Sequence, residues 1–340
     1  MNQAQSGSAH DDDFLVLDKN SISSMVDIPG LIDIAASALQ KTSNGAALQD
    51  VRRVLDLPNS DGGCLSIMYA AVTDRPAFGA KVLSVYPANF AHGLPSHRGG
   101  ILLFEKEHGR PVALLDGGEI TAWRTAAASA AATKALSRPD SSILAVLGYG
   151  EQAQRHIATI SAVRPIREIR VWGRDVGKAE RFAQTQRDAG FDAAAYREAA
   201  DCVAGADIVC TVTSARTPVL FGRWLSPGSH VNAVGASVAS CQEIDVECVQ
   251  RARVWVDYLP MALSAAAELV LALADGLVSE KHILGEIGAV LNGTVPGRQS
   301  ADDITLYRSL GVPAQDIELA NFLYCAARAS GAGARVSFGG

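Results

Sequence analysis

The sequence predicts an α/β chain, with a doubly wound parallel sheet in its second half and a mixed α+β region in its first. Three observations carry this. After residue 140 the chain alternates apolar runs with helical stretches: SILAVLG, a helix from Glu151, EIRVWG, a helix near Asp175–Ala189, ADIVCTVT and SHVNAVGA. Such uninterrupted apolar strands suit a parallel sheet buried on both faces. Before residue 140 the β-like runs are short and punctuated by Gly, Pro and Asn. Finally, 340 residues make two domains, at roughly 100–200 residues each.

Taken in order, residues 1–13 (MNQAQSGSAHDDD) read as a disordered tail. The segment has neither the positive start nor the apolar stretch of a signal peptide. FLVLD (Phe14–Asp18) is strand-like, and a helix follows over Ile28–Lys41, with Pro29 suited to its first turn. VRRVLDL, GCLSIMYAAV, FGAKVLSVYP, GGILLFE and PVALLDG are then short strands. ILLFEKEHGRPVALLD is a hairpin signal, two apolar runs around a polar loop with a glycine. An Ala-rich helix, Ile120–Leu136, ends at Ser137-Arg138-Pro139-Asp140. Beyond the alternating units lie a strand over Ala252–Tyr258, a helical region over Met261–Leu271 and a closing helix, DIELANFLYCAARASG.

Composition excludes several classes. At 48% apolar and 19% charged residues the chain can bury a sizeable core. A net charge of −6 with no Lys/Arg run gives no footprint for nucleic acid. No apolar stretch reaches the ~18 residues of a membrane helix, because Glu268 interrupts Leu263–Ala274. The six cysteines form no CxxC pair, which argues against zinc and a disulfide framework. The cysteines read as small apolar residues in a reducing compartment, with Cys241, in a loop, the best-placed of them for a reactive thiol. A soluble, cytoplasmic protein without a metal is expected.

The chemistry begins at Leu147–Ala153, L-G-Y-G-E-Q-A, which is G-x-G-x-x-A after a strand and at a helix start. Gly148 permits the tight turn, Gly150 admits a pyrophosphate to the backbone, and Ala153 lets helix and strand pack closely. A Rossmann dinucleotide site is the expectation. Which dinucleotide is read at the end of the second strand, where an NAD site places Asp or Glu. Here stand Gly173 and Arg174, with Lys178 and Arg181 one turn on. Glycine leaves room for a 2′-phosphate and a guanidinium can bind it bidentately, so NADP(H) is expected over NAD(H). Asp175 is the complication, since it could turn toward a ribose.

GAKVLSVYPAN, GLPSHRGGILLFEKEHGRPVALLDGGEITAWRTAAASAAATKAL, AVLGYG, TVTSARTPVLFGRWLSPGSHVNAVGAS and ITLYRSLG together resemble the ornithine cyclodeaminase/mu-crystallin family, over about residues 14–328. The resemblance implies a substrate-binding and dimerisation domain over 14–129 and 315–340, and a Rossmann domain over 130–314. It implies a homodimer that uses a nicotinamide cofactor on small α-amino or α-imino acids. Carried over by motif, it marks Arg52 (with Arg53 beside it), Lys81 and Arg124 as cations for the substrate carboxylate. A planar arginine fork suits that task, and Arg124 lies in a segment too apolar to be freely exposed. His97 is a candidate donor to substrate, weighed against an ordinary loop histidine. The implied cofactor set is Thr125, Gly148, Gly150, Glu151, Gln152, Arg174, Thr211, Thr213, Val234 and Gly235.

Two departures choose among the family's reactions. Its cyclodeaminases carry an aspartate where Asn232-Ala233-Val234-Gly235-Ala236-Ser237 ends in serine. A neutral hydroxyl cannot neutralise an ammonium or act as its base near pH 7. The G-A-S form is similar to that of the mu-crystallin-like ketimine reductases. The missing NAD-type acid after the second strand points the same way, to net reduction of a cyclic imino acid. Lys81, Arg124 and His97 are then the catalytic candidates, and Arg52, Lys81, Arg124 and Ser237 the substrate contacts. A third departure is Ala265-Ala266-Ala267-Glu268, where the family's E-x-G-D/E pattern lacks its first acid. The alternatives are an ornithine cyclodeaminase, an alanine or N-substituted amino acid dehydrogenase, and a binding protein without chemistry.

Overall fold

The structure, a computed structural model, describes residues 13–60 and 62–338. The expected tail therefore lies outside the described residues except for Asp13, which opens the first strand. Two compact units form. Among the described residues, one comprises 13–26, 47–60 with 62–121, and 316–338, the other Asp27–Ala46 and Ala122–Gln315.

The first unit is a mixed sheet of β1 (Asp13–Leu17), β2 (Ala47–Gln49), β3 (Arg53–Asp56), β4 (Cys64–Val72), β5 (Ala77–Val85), β6 (His97–Glu105), β7 (Pro111–Asp116) and a last strand, Ala334–Ser337. From one edge the order is last strand, β1, β7, β6, β5, β4, β2, with β3 also paired to β4. Only β1 and β7 run parallel. The expected hairpin is β6–β7. The Glu105 carboxylate closes it, accepting the backbone N–H groups of Glu107 (2.6 Å), His108 (2.9 Å) and Arg110 (2.9 Å). The long strands alternate, as a half-covered sheet must. On β5, Ala77, Lys81 and Leu83 are buried, whereas Phe78 and Val82 face out. The closing helix, Pro313–Ser330, ties itself to β5 through Asn321, whose amide exchanges two hydrogen bonds with the backbone of Ala77 (3.1 and 3.0 Å).

The second unit is an all-parallel sheet of β8 (Ile143–Leu147), β9 (Glu168–Trp172), β10 (Asp192–Tyr196), β11 (Ile208–Thr211), β12 (His230–Ala233), β13 (Arg253–Val256), β14 (Ile283–Glu286) and β15 (Thr305–Arg308). Its order is β10-β9-β8-β11-β12-β15-β13-β14. The winding reverses between β8 and β11, and ligands of such sheets bind outside the strand C-termini at that reversal. β11, β12 and β15 are buried throughout, and the polar members of the last two pair inside the sheet, His230 with the Thr305 hydroxyl at 2.9 Å.

Two helices differ from expectation. The Ala-rich helix starts at Gly117, not Ile120, because the Asp116 carboxylate accepts the Glu119 N–H (2.8 Å) and caps it earlier. The region expected as one helix over Met261–Leu271 is two, Leu259–Ala265 and Ala267–Ala274, broken where Ala266 turns extended (ψ 95°). The break puts Glu268 in a new first turn, where it is buried against Arg308. Helix Ile28–Ser43 packs on Ile287–Leu291 so closely that a Cβ at Gly288 would lie 1.9 Å from the Leu39 carbonyl oxygen. Among the described residues no helix is long and apolar enough to cross a membrane.

Candidate active site

In the second unit the turn after β8 is built by backbone. Gly148 takes φ +133°, and a Cβ there would sit 2.7 Å from the Val212 carbonyl oxygen, so the loop passes against the strand beside it. Gly150 starts helix Glu151–Ser161 with no side-chain cap, and the space where its Cβ would be is open. An uncapped N-terminus behind an open glycine fits a pyrophosphate: N–H groups point outward and the helix dipole favours negative charge. Glu151 and Gln152 form the first turn. One turn on, buried His156 hydrogen-bonds the Gln152 carbonyl (2.7 Å) and Ser129 (2.9 Å), and burial lowers its pKa to about 4.

At the end of β9, Arg174 is exposed, as are Lys178 and Arg181. The Asp175 carboxylate is engaged as the cap of helix Val176–Asp188, accepting the Lys178 N–H at 2.9 Å, which lowers its pKa. Gly173 does something other than leave room for a phosphate. The Tyr149 ring lies over it, and a Cβ would meet ring atoms at 2.2 Å.

The loops after β11 and β12 converge on a group that the sequence reading missed, Glu243. It is buried and accepts from the Thr211 hydroxyl (2.9 Å), the Thr213 N–H (2.6 Å) and hydroxyl (2.7 Å), and the N–H groups of Gly235 (2.5 Å) and Ala236 (3.2 Å). Burial raises its pKa and these bonds oppose the rise. Thr211 and Thr213 thus act first as donors to Glu243. Val234 is buried, Gly235 exposed and Ser237 half-buried on the same turn.

Arg124 is buried in its helix; one guanidinium nitrogen donates to Gln315 at 3.0 Å, and a Cβ at Gly311 would come within 2.6 Å of it. The turn bearing Gly311 is fixed by buried Asp257, which accepts the N–H groups of Leu310 and Gly311 at 2.6 Å each. Thr125 is buried beside Arg124.

In the first unit Lys81 is 2% exposed, on the inner face of β5. Its ammonium lies 2.7 Å from Asp316 in the first turn of the closing helix and 3.2 Å from the Thr121 hydroxyl. Asp316 is a second group the sequence reading missed. Arg53 pairs with Ile67 in the β3–β4 register and Met68 with Lys81 in β4–β5. Continued by one residue, that register puts Arg52 in the row of Met68 and Lys81, two strand spacings or roughly 10 Å from Lys81. Arg53 itself is a surface residue paired with Asp50 (2.6 Å). His97 is exposed at the start of β6 opposite Val85, four residues or roughly 13 Å along β5 from Lys81. Its Nδ1 lies 2.8 Å from the Ser96 hydroxyl. The register therefore groups Arg52 with Lys81 and leaves His97 at the strand end.

Residues 13–331 match the model of the ornithine cyclodeaminase/mu-crystallin family. Among individual proteins, the ketimine reductase mu-crystallin of Mus musculus is 35% identical over 302 residues, 89% of this chain and 92% of that protein. The Δ1-pyrroline-2-carboxylate reductase of Thermococcus litoralis, solved with NADH and L-proline, superposes with a TM-score of 0.91 at 31% identity, covering 95% of this chain and all of the other (100%). An archaeal alanine dehydrogenase dimer with bound NAD gives a TM-score of 0.90 at 28% identity, over 96% and 100% of the two chains.

Proposed function

The chain belongs to the ornithine cyclodeaminase/mu-crystallin family of nicotinamide-dependent oxidoreductases, and from that premise we propose that it reduces cyclic imino acids such as 1-pyrroline-2-carboxylate or 1-piperideine-2-carboxylate to L-proline or L-pipecolate. The observation that carries this reading is Ser237 at the turn after β12, where a cyclodeaminase needs a carboxylate. The cofactor, when bound, supplies the hydride; Gly148, Gly150, Glu151 and Gln152 would hold its pyrophosphate, and Thr125, Val234 and Gly235 its nicotinamide end. We assign the substrate carboxylate to Arg52, Lys81 and Arg124. Lys81 also holds a proton at Nζ. Reduction adds hydride at the C=N carbon and a proton at nitrogen, and a protonated imine is the better acceptor, so an ammonium beside the ring serves both steps. Orientation of the imine, anchoring of its carboxylate and exclusion of water are the protein's contribution.

NADP(H) is the proposed preference, with NAD(H) the alternative. With Asp175 engaged as a helix cap, Arg174, Lys178 and Arg181 supply the charge outside β9. We assign the homodimer contact to the outer face of the first unit's sheet, where Leu55, Tyr69, Phe78, Val82 and Leu114 are exposed. A groove of about 470 Å³ among Leu48, Tyr69, Phe78 and Phe104 marks that face, and apolar patches of this kind mark interfaces. All six cysteines are unpaired, which suits the cytoplasm.

The test follows NADPH and NADH oxidation with both cyclic imino acids and with pyruvate plus ammonia, alongside ammonia release from L-ornithine. Turnover of a cyclic imino acid supports the reading. Turnover of pyruvate with ammonia alone, or ammonia from ornithine with catalytic NAD, replaces it with a dehydrogenase or a cyclodeaminase. Light scattering that finds a monomer at micromolar concentration removes the dimer.

A further inference from the structure

The turn after β12 has an unusual support. Its N–H groups, at Gly235 and Ala236, are bound by the buried carboxylate of Glu243. Its carbonyls are bound from the other side by a buried cation: Arg308, at the end of β15, donates to the Ala233 carbonyl (3.2 Å) and to that of Ala236. Both side chains are almost wholly out of water, Glu243 at 2% and Arg308 at 1% exposure. Arg308 is neutralised by Glu268, itself 1% exposed, through a direct ion pair. Gly235 is the residue this clamp demands, because a Cβ there would lie 2.1 Å from the Thr213 carbonyl oxygen and 2.6 Å from Glu243. One peptide turn is thus gripped by an anion on its donors and by a cation on its acceptors.

Packing alone does not ask for this. Burying three charges is costly, and apolar replacements of a buried ion pair are often neutral or stabilising. What such a network does secure is geometry: it is satisfied only when the turn has one position. The turn carries Ser237, and its neighbours Val234 and Gly235 are the ones assigned above to the nicotinamide end. The clamp also gives a role to the acid that the incomplete E-x-G-D/E pattern keeps. Ala265 stands where the first acid is lost, while the retained acid, Glu268, is the one that balances Arg308.

We propose that Glu243 and the Arg308–Glu268 pair are positioning residues that fix the Ser237 turn against the reacting ring, acting on turnover through that turn. This rests on the reductase reading for its substrate but not for its geometry. The experiment measures kcat and KM for 1-pyrroline-2-carboxylate, and NADPH binding by nicotinamide fluorescence, in wild type, Glu243→Gln, Glu268→Gln, Ser237→Ala and the Glu243→Gln/Ser237→Ala double variant. Glutamine at 243 keeps shape and one acceptor but turns an NH2 group toward N–H donors. Expected are a loss in kcat per folded site of tenfold or more in Glu243→Gln, a smaller loss in Glu268→Gln, and NADPH affinity within about threefold of wild type. Ser237→Ala should then cost less in the Glu243→Gln background than alone. Additive losses, or an unchanged kcat per folded site with only a lower melting temperature, would overturn the proposal. If Glu243→Gln fails to fold, Glu268→Gln with Ser237→Ala supplies the same cycle. If wild type reduces no imino acid, the reductase reading fails by itself. The clamp is then judged by fluorescence of bound NADPH: loss of its enhancement at retained affinity in Glu243→Gln supports it, and an unchanged enhancement overturns it.

Discussion

The two units build their candidate sites in opposite ways. In the second, the turn after β8 is made of backbone: a glycine at φ +133°, an uncapped helix start and an open glycine between them. In the first, Lys81 sits on a buried sheet face and its partner, Asp316, arrives from the far end of the chain. A backbone site is specified by a few adjacent residues and tolerates change around it. A buried side-chain pair depends on a fold-level juxtaposition, and losing one member strands the other. The second kind should therefore be the more fragile, and its failure should couple activity to stability.

The largest effect of any substitution should come from Lys81→Met. It removes the assigned carboxylate cation and leaves Asp316 buried without its ammonium, which costs on the order of 3–5 kcal/mol of stability for a broken buried pair. We expect kcat/KM for the imino acid to fall by about three orders of magnitude, with a clearly lowered melting temperature. Lys81→Met/Asp316→Asn should recover stability but not activity. Recovery of both, measured by steady-state kinetics and calorimetry, would show that Lys81 is structural.

Acid should reverse the order of fragility. His156 and His230, both in the second unit, are buried and held neutral, with pKa values lowered by burial to about 4 and about 3. Below the ordinary pKa near 6.5 the unfolded chain binds protons that the folded unit refuses, so stability falls as pH drops through 6.5 and levels off below about 4 and 3. Fully developed, the losses are about 3 and about 5 kcal/mol at ~1.4 kcal/mol per decade. Glu243 and Asp257, raised by burial, bind protons more readily when folded and offset part of this. Hydrogen exchange at pH 7 and pH 4.5 should show the second unit losing protection first. Equal loss in both units would contradict it.

The same contrast explains what the sequence made legible. Gly148, Gly150 and the apolar runs of β8, β9, β11 and β12 are local signals, and the hairpin over β6–β7 is another. Lys81 and Arg124 could be marked by motif. Asp316 and Glu243 could not, because nothing near either in the chain announces a partner; the sheet and helix must form first. DAAAY in β10 has no β-branched residue, which hid that strand. The helix break at Ala266 was hidden too, since three alanines in a row read as uninterrupted helix. Gly173 reads as space in the sequence alone, and the neighbouring Tyr149 ring fills it.

A smaller effect tests the backbone site at its one charged edge. Arg174→Ala should weaken NADPH by about 1.5–3 kcal/mol, the worth of a hydrogen bond to a charged group, and leave NADH nearly unchanged. Calorimetric titration with both cofactors decides it. Equal loss for both would show that Arg174 does not read a 2′-phosphate, and NAD(H) would become the better assignment.

The smallest effect in free energy is the one that separates the two leading reactions. L-Ornithine brings a side-chain ammonium that a cyclic imino acid lacks. On the assignment proposed above, that ammonium would meet the Ser237 hydroxyl where a carboxylate is needed, and a poorly paired charge removed from water is penalised. Wild type should therefore bind ornithine weakly and release no ammonia from it. Ser237→Asp adds an acceptor that is half-exposed by the accessibility of the native serine, so its gain should be that of a partly screened pair, about 1 kcal/mol, or roughly fivefold in ornithine affinity. The same carboxylate, with no cation to meet in a cyclic imino acid substrate, should raise KM for that substrate by a comparable factor. The two shifts must run in opposite directions. If Ser237→Asp moved both affinities the same way, the turn would lie outside the substrate site, and the distinction between reductase and cyclodeaminase would have to rest on other residues.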